Sequence, residues 1–492
     1  MSQSRIQTGT PGLDHVLRGG LAPHRLYLVE GTPGSGKTTL ALKFLMAGRD
    51  VGESGLYITL SETEDELRAV TASHGLNLDG LNIYELLTEG EFAPEFEQTL
   101  LHSSEIELGE TVRNVIKHVE ALSPKRVVLD SLSELRLLAQ NPLRYRRQIL
   151  ALKHFFAKCQ CTVLVLDDRT ADPNDLQLHS IAHGVISLEQ AANDFGSERR
   201  RLRVVKMRGT KYSGGYHDFT IDHGGISVFP RLIAAEHKRD FTPQTVTTGL
   251  PKLDDLLGGG LISGTNALLM GPAGVGKTTT AIRCMMTAMQ RGEVAAYFLF
   301  DERLATLLTR SKMLNMDLQP YIDSGQLVLR QIDPAEMSPG EFANAVRWVI
   351  EQSNASFIVI DSLNAYLQAM PSDNFLILQM HELLSYLSQQ GVVALLILGQ
   401  HGVIGDLHSD IDISYLADTV LLLRFFEVEG LVRKSIAVIK TRTLAHERAI
   451  REFGISANGI EVGDPIRSFS GILTGAPTFY RDESTPRSLV GE

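Results

Sequence analysis

The sequence predicts an α/β protein made of two tandem copies of one domain, each a mostly parallel sheet with helices on both faces. Three observations lead there. Motifs of the first half recur downstream at a constant offset, with Lys37 and Lys277 240 positions apart. Short apolar runs alternate with helical patterns through both halves. In each half a Gly-rich segment joins an apolar run to a helical pattern.

The elements follow in order. Thr8-Gly-Thr-Pro-Gly-Leu-Asp14 recurs as Thr248-Gly-Leu-Pro-Lys-Leu-Asp254, and Gly19-Gly-Leu21 as Gly259-Gly-Leu261. Leu26-Tyr-Leu-Val29 reads as a strand, Gly31 to Thr38 as a loop matched by Gly271 to Thr278, and Lys37 to Ala47 as a helix. Tyr57-Ile-Thr-Leu-Ser-Glu62 matches Tyr297-Phe-Leu-Phe-Asp-Glu302, with Glu62 and Glu302 closing the strand. Arg126-Val-Val-Leu-Asp130 and Thr162-Val-Leu-Val-Leu166 are further buried strands. The polar stretch Ala234 to Gln244 lacks periodicity and fits a linker, which gives domains 1–238 and 239–492.

Composition narrows the class. The chain has 492 residues, 43% hydrophobic and 21% charged, an ordinary globular balance. Its 47 Lys and Arg stand against 58 Asp and Glu, a net charge of −11, so no global basic field draws it to nucleic acid or to an anionic membrane. Three cysteines form no disulfide framework, and Cys159-Gln-Cys161 lacks a second zinc-ligand pair, so buried reduced thiols are expected. The first residues have no signal-peptide core. Gly391 to Gly399, the most apolar stretch, falls far short of the roughly 20 residues that span a bilayer and reads as a buried strand. A cytoplasmic protein without membrane contact is expected.

The two Gly-rich segments fit phosphate-binding loops: Gly-x-x-x-x-Gly-Lys-Thr between a strand and a helix. Backbone N–H groups of Thr32, Pro33, Gly34, Ser35, Gly36, Lys37, Thr38 and Thr39, proline excepted, would curl around phosphates. Pro272, Ala273, Gly274, Val275, Gly276, Lys277, Thr278 and Thr279 would do the same in the second half. Lys37 and Lys277 would reach the terminal phosphates of ATP, and Thr38 and Thr278 would hold Mg²⁺. The competing reading is a chance Gly-rich turn. Asp130 and Asp361, each at the end of an apolar strand and followed by Ser, would complete the metal shell, although strand-end Asp residues also cap turns. Glu62 and Glu302 are placed to activate a nucleophile, or else to cap the helix that follows. Lys206-Met207-Arg208 and Lys440-Thr441-Arg442 put both cations of each strand on one face, where they would reach a neighbouring subunit's phosphate. A solvated face is the alternative, and Arg199-Arg-Arg-Leu-Arg203 raises a nucleic-acid contact as another.

Together the paired loops, the Thr-Gly-x-x-x-Leu-Asp openings, the strand-end acids and the Lys-x-Arg strands resemble the KaiC family of RecA-like P-loop ATPases. Lys206-Met-Arg-Gly-Thr210, Asp222-His-Gly-Gly-Ile226 and Arg448-Ala-Ile-Arg-Glu-Phe453 look like signatures of that family. The resemblance covers nearly the whole chain. It implies a double-ring homohexamer with ATP between subunits, slow ATP hydrolysis in the first half, and Ser/Thr autokinase and autophosphatase activity in the second. It adds Thr210 and His446 to the expected ATP contacts, Asp301 ahead of Glu302 as kinase base, and Ser414 as phosphoacceptor with Tyr415 beside it. A KaiB-like protein and other signalling proteins are the partners it implies.

Some positions depart from the pattern. Ser61 replaces the first of two paired carboxylates, leaving Glu62 alone, and Asp301 shortens the other pair. Tyr415 stands where the family has Thr, and the short stretch after Pro477 argues against docking of a KaiA-type activator. Two other functions compete with a phosphorylating switch: an ATP-dependent assembly scaffold with negligible kinase activity, and a recombinase or helicase. The acidic net charge and the lack of a zinc ribbon weigh against the last.

Overall fold

The computed structural model describes residues 5–86, 104–139, 141–169, 177–192, 196–368, 373–400, 402, 414–443, 445–456, 459–474 and 478–479. The chain divides into two compact units, Met1–Arg231 and Leu232–Glu492. Each holds one nine-stranded sheet.

In the first unit the strand order is Asn82–Glu85, Gly55–Thr59, Arg126–Asp130, Thr162–Asp167, Leu26–Gly31, Gly184–Ala191, Arg199–Met207, His217–Asp222, Gly225–Phe229. Pairing is parallel through Gly184–Ala191 and antiparallel beyond it. The second unit repeats this plan, with Asn266–Gly271 between Val393–Gly399 and Thr419–Val428. The parallel strands read as continuous apolar runs because both faces are covered. Tyr27 and Val29 enter one core and Leu26 and Leu28 the other; Leu269 and Leu268 divide likewise in the second unit.

The Thr-Gly-x-x-x-Leu-Asp openings have a structural role. The Asp14 carboxylate accepts the Thr8 N–H at 2.8 Å, and Asp254 accepts that of Thr248 at 2.8 Å, which fixes the chain entering each short helix.

The segment read as a linker is instead part of the second unit. Leu232 and Ala234 are buried in its core, the Ala234 N–H donates to Glu382, and Arg239 bonds Asn354. Polar, aperiodic sequence hid this because few of the segment's side chains are apolar, Ala234 in the core and Phe241 against Gly264 and Gly391 among them. The unit therefore begins at Leu232, before the boundary expected at 239. Gly391 to Gly399 does contain a buried strand, Val393–Gly399. Cys161 and Cys284 are buried free thiols, while Cys159 is half-buried. Among the described residues no helix is long and apolar enough to cross a membrane.

Candidate functional site

Each phosphate-loop motif leaves the C-terminal end of a central parallel strand and opens a helix, Lys37–Arg49 or Lys277–Gln290. The loop needs glycine where it turns into the helix. Gly36 has φ +98°, and a Cβ there would meet Ile221 at 2.5 Å; Gly276 has φ +120° and would meet Ile455 at 2.5 Å.

In the first unit Lys37 Nζ donates to the carbonyls of Gly31 and Thr32, both at 2.9 Å, and pairs with Asp168 at 2.8 Å. Thr38 Oγ1 donates to Asp130 at 3.3 Å, and the Tyr57 hydroxyl donates to the same carboxylate oxygen at 2.5 Å. Burial holds Asp130 above the usual carboxylate range, with the Tyr57 hydroxyl pulling it back down. A cavity of about 480 Å³ is lined by Gly34, Lys37, Thr38, Glu62, Asp130 and Arg200, among others.

Glu62 lies in the turn beyond Thr59, not in the strand itself. Thr59 Oγ1 fixes this turn, accepting the Glu62 N–H at 2.9 Å and donating to the Glu62 carbonyl at 2.8 Å. The capping alternative for Glu62 fails, because Thr63 and Glu66 form the capping box of the next helix. Burial, then Asp130, raises the Glu62 carboxyl, and its Oε2 is buried without a partner. An unpartnered carboxylate oxygen facing a cavity that also holds Lys37 and Asp130 fits a Mg²⁺-triphosphate and its attacking water.

The second unit repeats the frame. Lys277 donates to the carbonyls of Gly271 and Pro272 at 2.7 and 2.8 Å, and Thr278 and Tyr297 both donate to Asp361 Oδ2 at 2.7 Å. Both Asp-Ser peptide bonds, 130–131 and 361–362, are cis. The carboxylates differ, however. The Asp301 carboxylate accepts the Ser362 hydroxyl, and Glu302 is ion-paired with Arg310 at 2.9 Å. The lysines differ too: Asp167 pairs with Glu30 in register and Leu398 with Met270, so Gly399 follows where Asp168 does in the first unit.

Burial pushes Lys277 down to about 8, with Asp361 opposing. The sign follows from linkage. A depressed lysine is neutral above that value, and a triphosphate restores its charge, so nucleotide binding takes up a proton above about pH 8 and none near pH 6.5. Calorimetry in two buffers of different ionisation enthalpy measures this uptake. Lys277→Arg, whose guanidinium stays charged, abolishes it.

The Lys-x-Arg cations do not join their own phosphate loops. Lys206 pairs in register with Val185 and Lys440 with Val420, at the N-terminal ends of parallel strands, whereas each loop leaves the opposite ends. Lys206 donates to the His179 carbonyl and Arg208 to that of Ser180 at 2.6 Å. Lys440 donates to the carbonyls of Ser414 and Ala417 at 3.0 and 2.8 Å, and Arg442 to that of Tyr415 at 2.7 Å. Ser414 thus sits against the Lys-x-Arg strand, and Tyr415 is half exposed at 52%. The Thr210 hydroxyl accepts Arg5 at 3.1 Å, while His446 lies in the segment before Ile450–Ser456. The stretch after 479, on which activator docking turns, lies outside the described residues.

Other residues of these sites were not expected there. Tyr57, Tyr297 and Asp168 are among them, as are Arg200, which lines the first cavity, and Lys434, which donates to the Gly274 carbonyl at 3.2 Å. A signal existed for the last pair: each cation stands six positions before Lys206 or Lys440. The basic run around them is not an open patch. Arg199 is buried, Arg200 pairs with Glu198, Arg201 pairs with Glu189, and Arg201 and Arg203 lie over Tyr216.

Fold and loops together define a tandem RecA-like P-loop ATPase. A family model described as ATPase: KaiC matches residues 6–233 and again 246–466, and the chain belongs to that family. Among its relatives are the circadian clock protein KaiC3 of Synechocystis sp., 27% identical over 99% of this chain and 97% of that protein, and the circadian clock oscillator protein KaiC of Synechococcus elongatus, 26% identical over 96% and 92%. The circadian clock protein KaiC2 of Synechocystis sp. is 26% identical over 96% of this chain and 84% of its own length.

Proposed function

We propose that the chain is an ATP-hydrolysing homohexamer whose first half turns over ATP slowly and whose second half phosphorylates and dephosphorylates Ser414. It would serve as a cytoplasmic signalling or timing switch. The observation that supports this is the position of the Lys-x-Arg cations. They stand at the far end of the sheet from their own loops, so they are useful to a nucleotide only if that nucleotide belongs to a neighbour. The same strand grips the Ser414 backbone, which puts acceptor and trans-acting cations on one edge.

Within a site, Lys37 or Lys277 would hold the terminal phosphates and Thr38 with Asp130, or Thr278 with Asp361, would hold Mg²⁺, which screens the phosphate charge. Glu62 takes the proton of the attacking water in the first half. In the second, Asp301 or Glu302 takes that of the Ser414 hydroxyl. ATP bridging subunits stabilises the ring by mass action. Size measurement with and without Mg-ATP is expected to show assembly on adding nucleotide, and a monomer under saturating ATP rejects the ring. Intact-mass analysis after incubation with Mg-ATP is expected to show phosphate, mapped to Ser414 with little on Tyr415.

A second reading, an assembly scaffold with negligible kinase activity, is favoured by one observation. Both second-half carboxylates are already engaged, Asp301 by Ser362 and Glu302 by Arg310. An assembled ring that carries no phosphate selects it.

A further inference from the structure

The helix after the catalytic turn differs between the halves at one position of consequence. Val70, in Glu64–Ser73, lines the first cavity, and Arg310, in Leu304–Met313, stands 240 positions later. Where Val70 leaves Glu62 Oε2 without a partner, Arg310 pairs with Glu302 Oε2 at 2.9 Å.

We propose that Arg310 is a positioning residue that restrains Glu302 and so holds down ATP turnover in the second half. This rests on the reading of Glu302 as the counterpart of Glu62. In hydrolysis, water attacks the terminal phosphorus as the bond to the ADP oxygen breaks, and the water's proton passes to the carboxylate and then to solvent. A guanidinium nitrogen 2.9 Å from that carboxylate's Oε2 attracts the side chain by charge and crowds the oxygen that would accept the proton. The other groups facing Glu302 do not replace it. Asp301 is engaged by Ser362, Asp361 is held by Thr278 and Tyr297, and Lys277 is directed to the loop carbonyls. The restraint is therefore one side chain, present in one half and absent from the other.

The test uses the full chain carrying Glu62→Gln, which silences the first site so that the remaining hydrolysis reads the second. Adding Arg310→Val, the residue of the first half, is expected to raise kcat by about tenfold with little change in KM. Arg310→Lys keeps a cation near Glu302 and is expected to return the rate toward the parent, which a merely structural role would not produce. In the otherwise natural chain, Val70→Arg is expected to lower first-site hydrolysis by about tenfold. Val70 is 40% exposed, so the longer side chain has room.

The failures are separable. If Glu302→Gln in the Glu62→Gln background leaves turnover unchanged, the reading of Glu302 as base falls, and this proposal with it. If Glu302→Gln abolishes turnover but Arg310→Val leaves kcat at or below the parent, the proposal alone is overturned. A raised KM with lower kcat in Arg310→Val makes Arg310 a phosphate ligand and likewise overturns it.

Discussion

Glu62→Gln is expected to lower first-site ATP hydrolysis by about 10²–10⁴-fold, the range of general acid–base assistance, while nucleotide binding and ring assembly persist. The substitution keeps the shape and one hydrogen-bonding oxygen but removes the basic charge. Nothing nearby substitutes for it. Ser61 has no carboxylate, Asp130 accepts from Thr38 and Tyr57, and Asp168 is paired with Lys37. The pH profile checks the assignment independently. Burial and the Asp130 charge raise the Glu62 carboxyl, so the ionised, proton-accepting form appears only above that raised value, and the rate climbs as pH rises through it. In Glu62→Gln that limb disappears. Steady-state phosphate release against pH measures both; a profile unchanged in shape and height removes Glu62 from catalysis.

Much of the fold was legible because its signals are periodic or repeated. The parallel strands show as unbroken apolar runs such as Arg126 to Asp130, since both faces of the sheet are covered. The phosphate loops show because Gly36 and Gly276 turn through positive φ, +98° and +120°, which favours glycine. What stayed hidden depends on pairs distant in sequence. Asp168 reaches Lys37 across 131 positions with no motif to announce it. Arg310 belongs to no motif, and its role against Glu302 shows only in their 2.9 Å contact. The Ala234 to Gln244 stretch misled for a related reason. Besides Ala234 and Phe241, its attachment to the second unit runs through backbone and polar side-chain bonds that composition does not encode.

Exchanging the loop lysines divides the labour between the halves. Lys37→Ala is expected to remove most steady-state hydrolysis and to weaken ring assembly, whereas Lys277→Ala spares much of that hydrolysis and abolishes phosphate on Ser414. Both lysines are held by two loop carbonyls and so are aimed at the same place, but their surroundings differ. Lys37 is kept beside Asp168, in a site where Glu62 Oε2 is unpartnered, as the proposed water-activating role would need. Among the described residues Lys277 pairs with no such carboxylate, and burial pushes it down to about 8, in a site whose Asp301 and Glu302 are both engaged. On the proposed function, the first site would be the one arranged for hydrolysis and the second the one arranged for transfer to Ser414. Loss of Lys37 removes the cation that would position the transferring phosphoryl group in the proposed hydrolytic site; loss of Lys277 removes it where Ser414 would be the acceptor. Phosphate release, particle size and intact mass of the two variants, measured together, distinguish these outcomes. Equal loss of hydrolysis and phosphorylation in both variants contradicts the division.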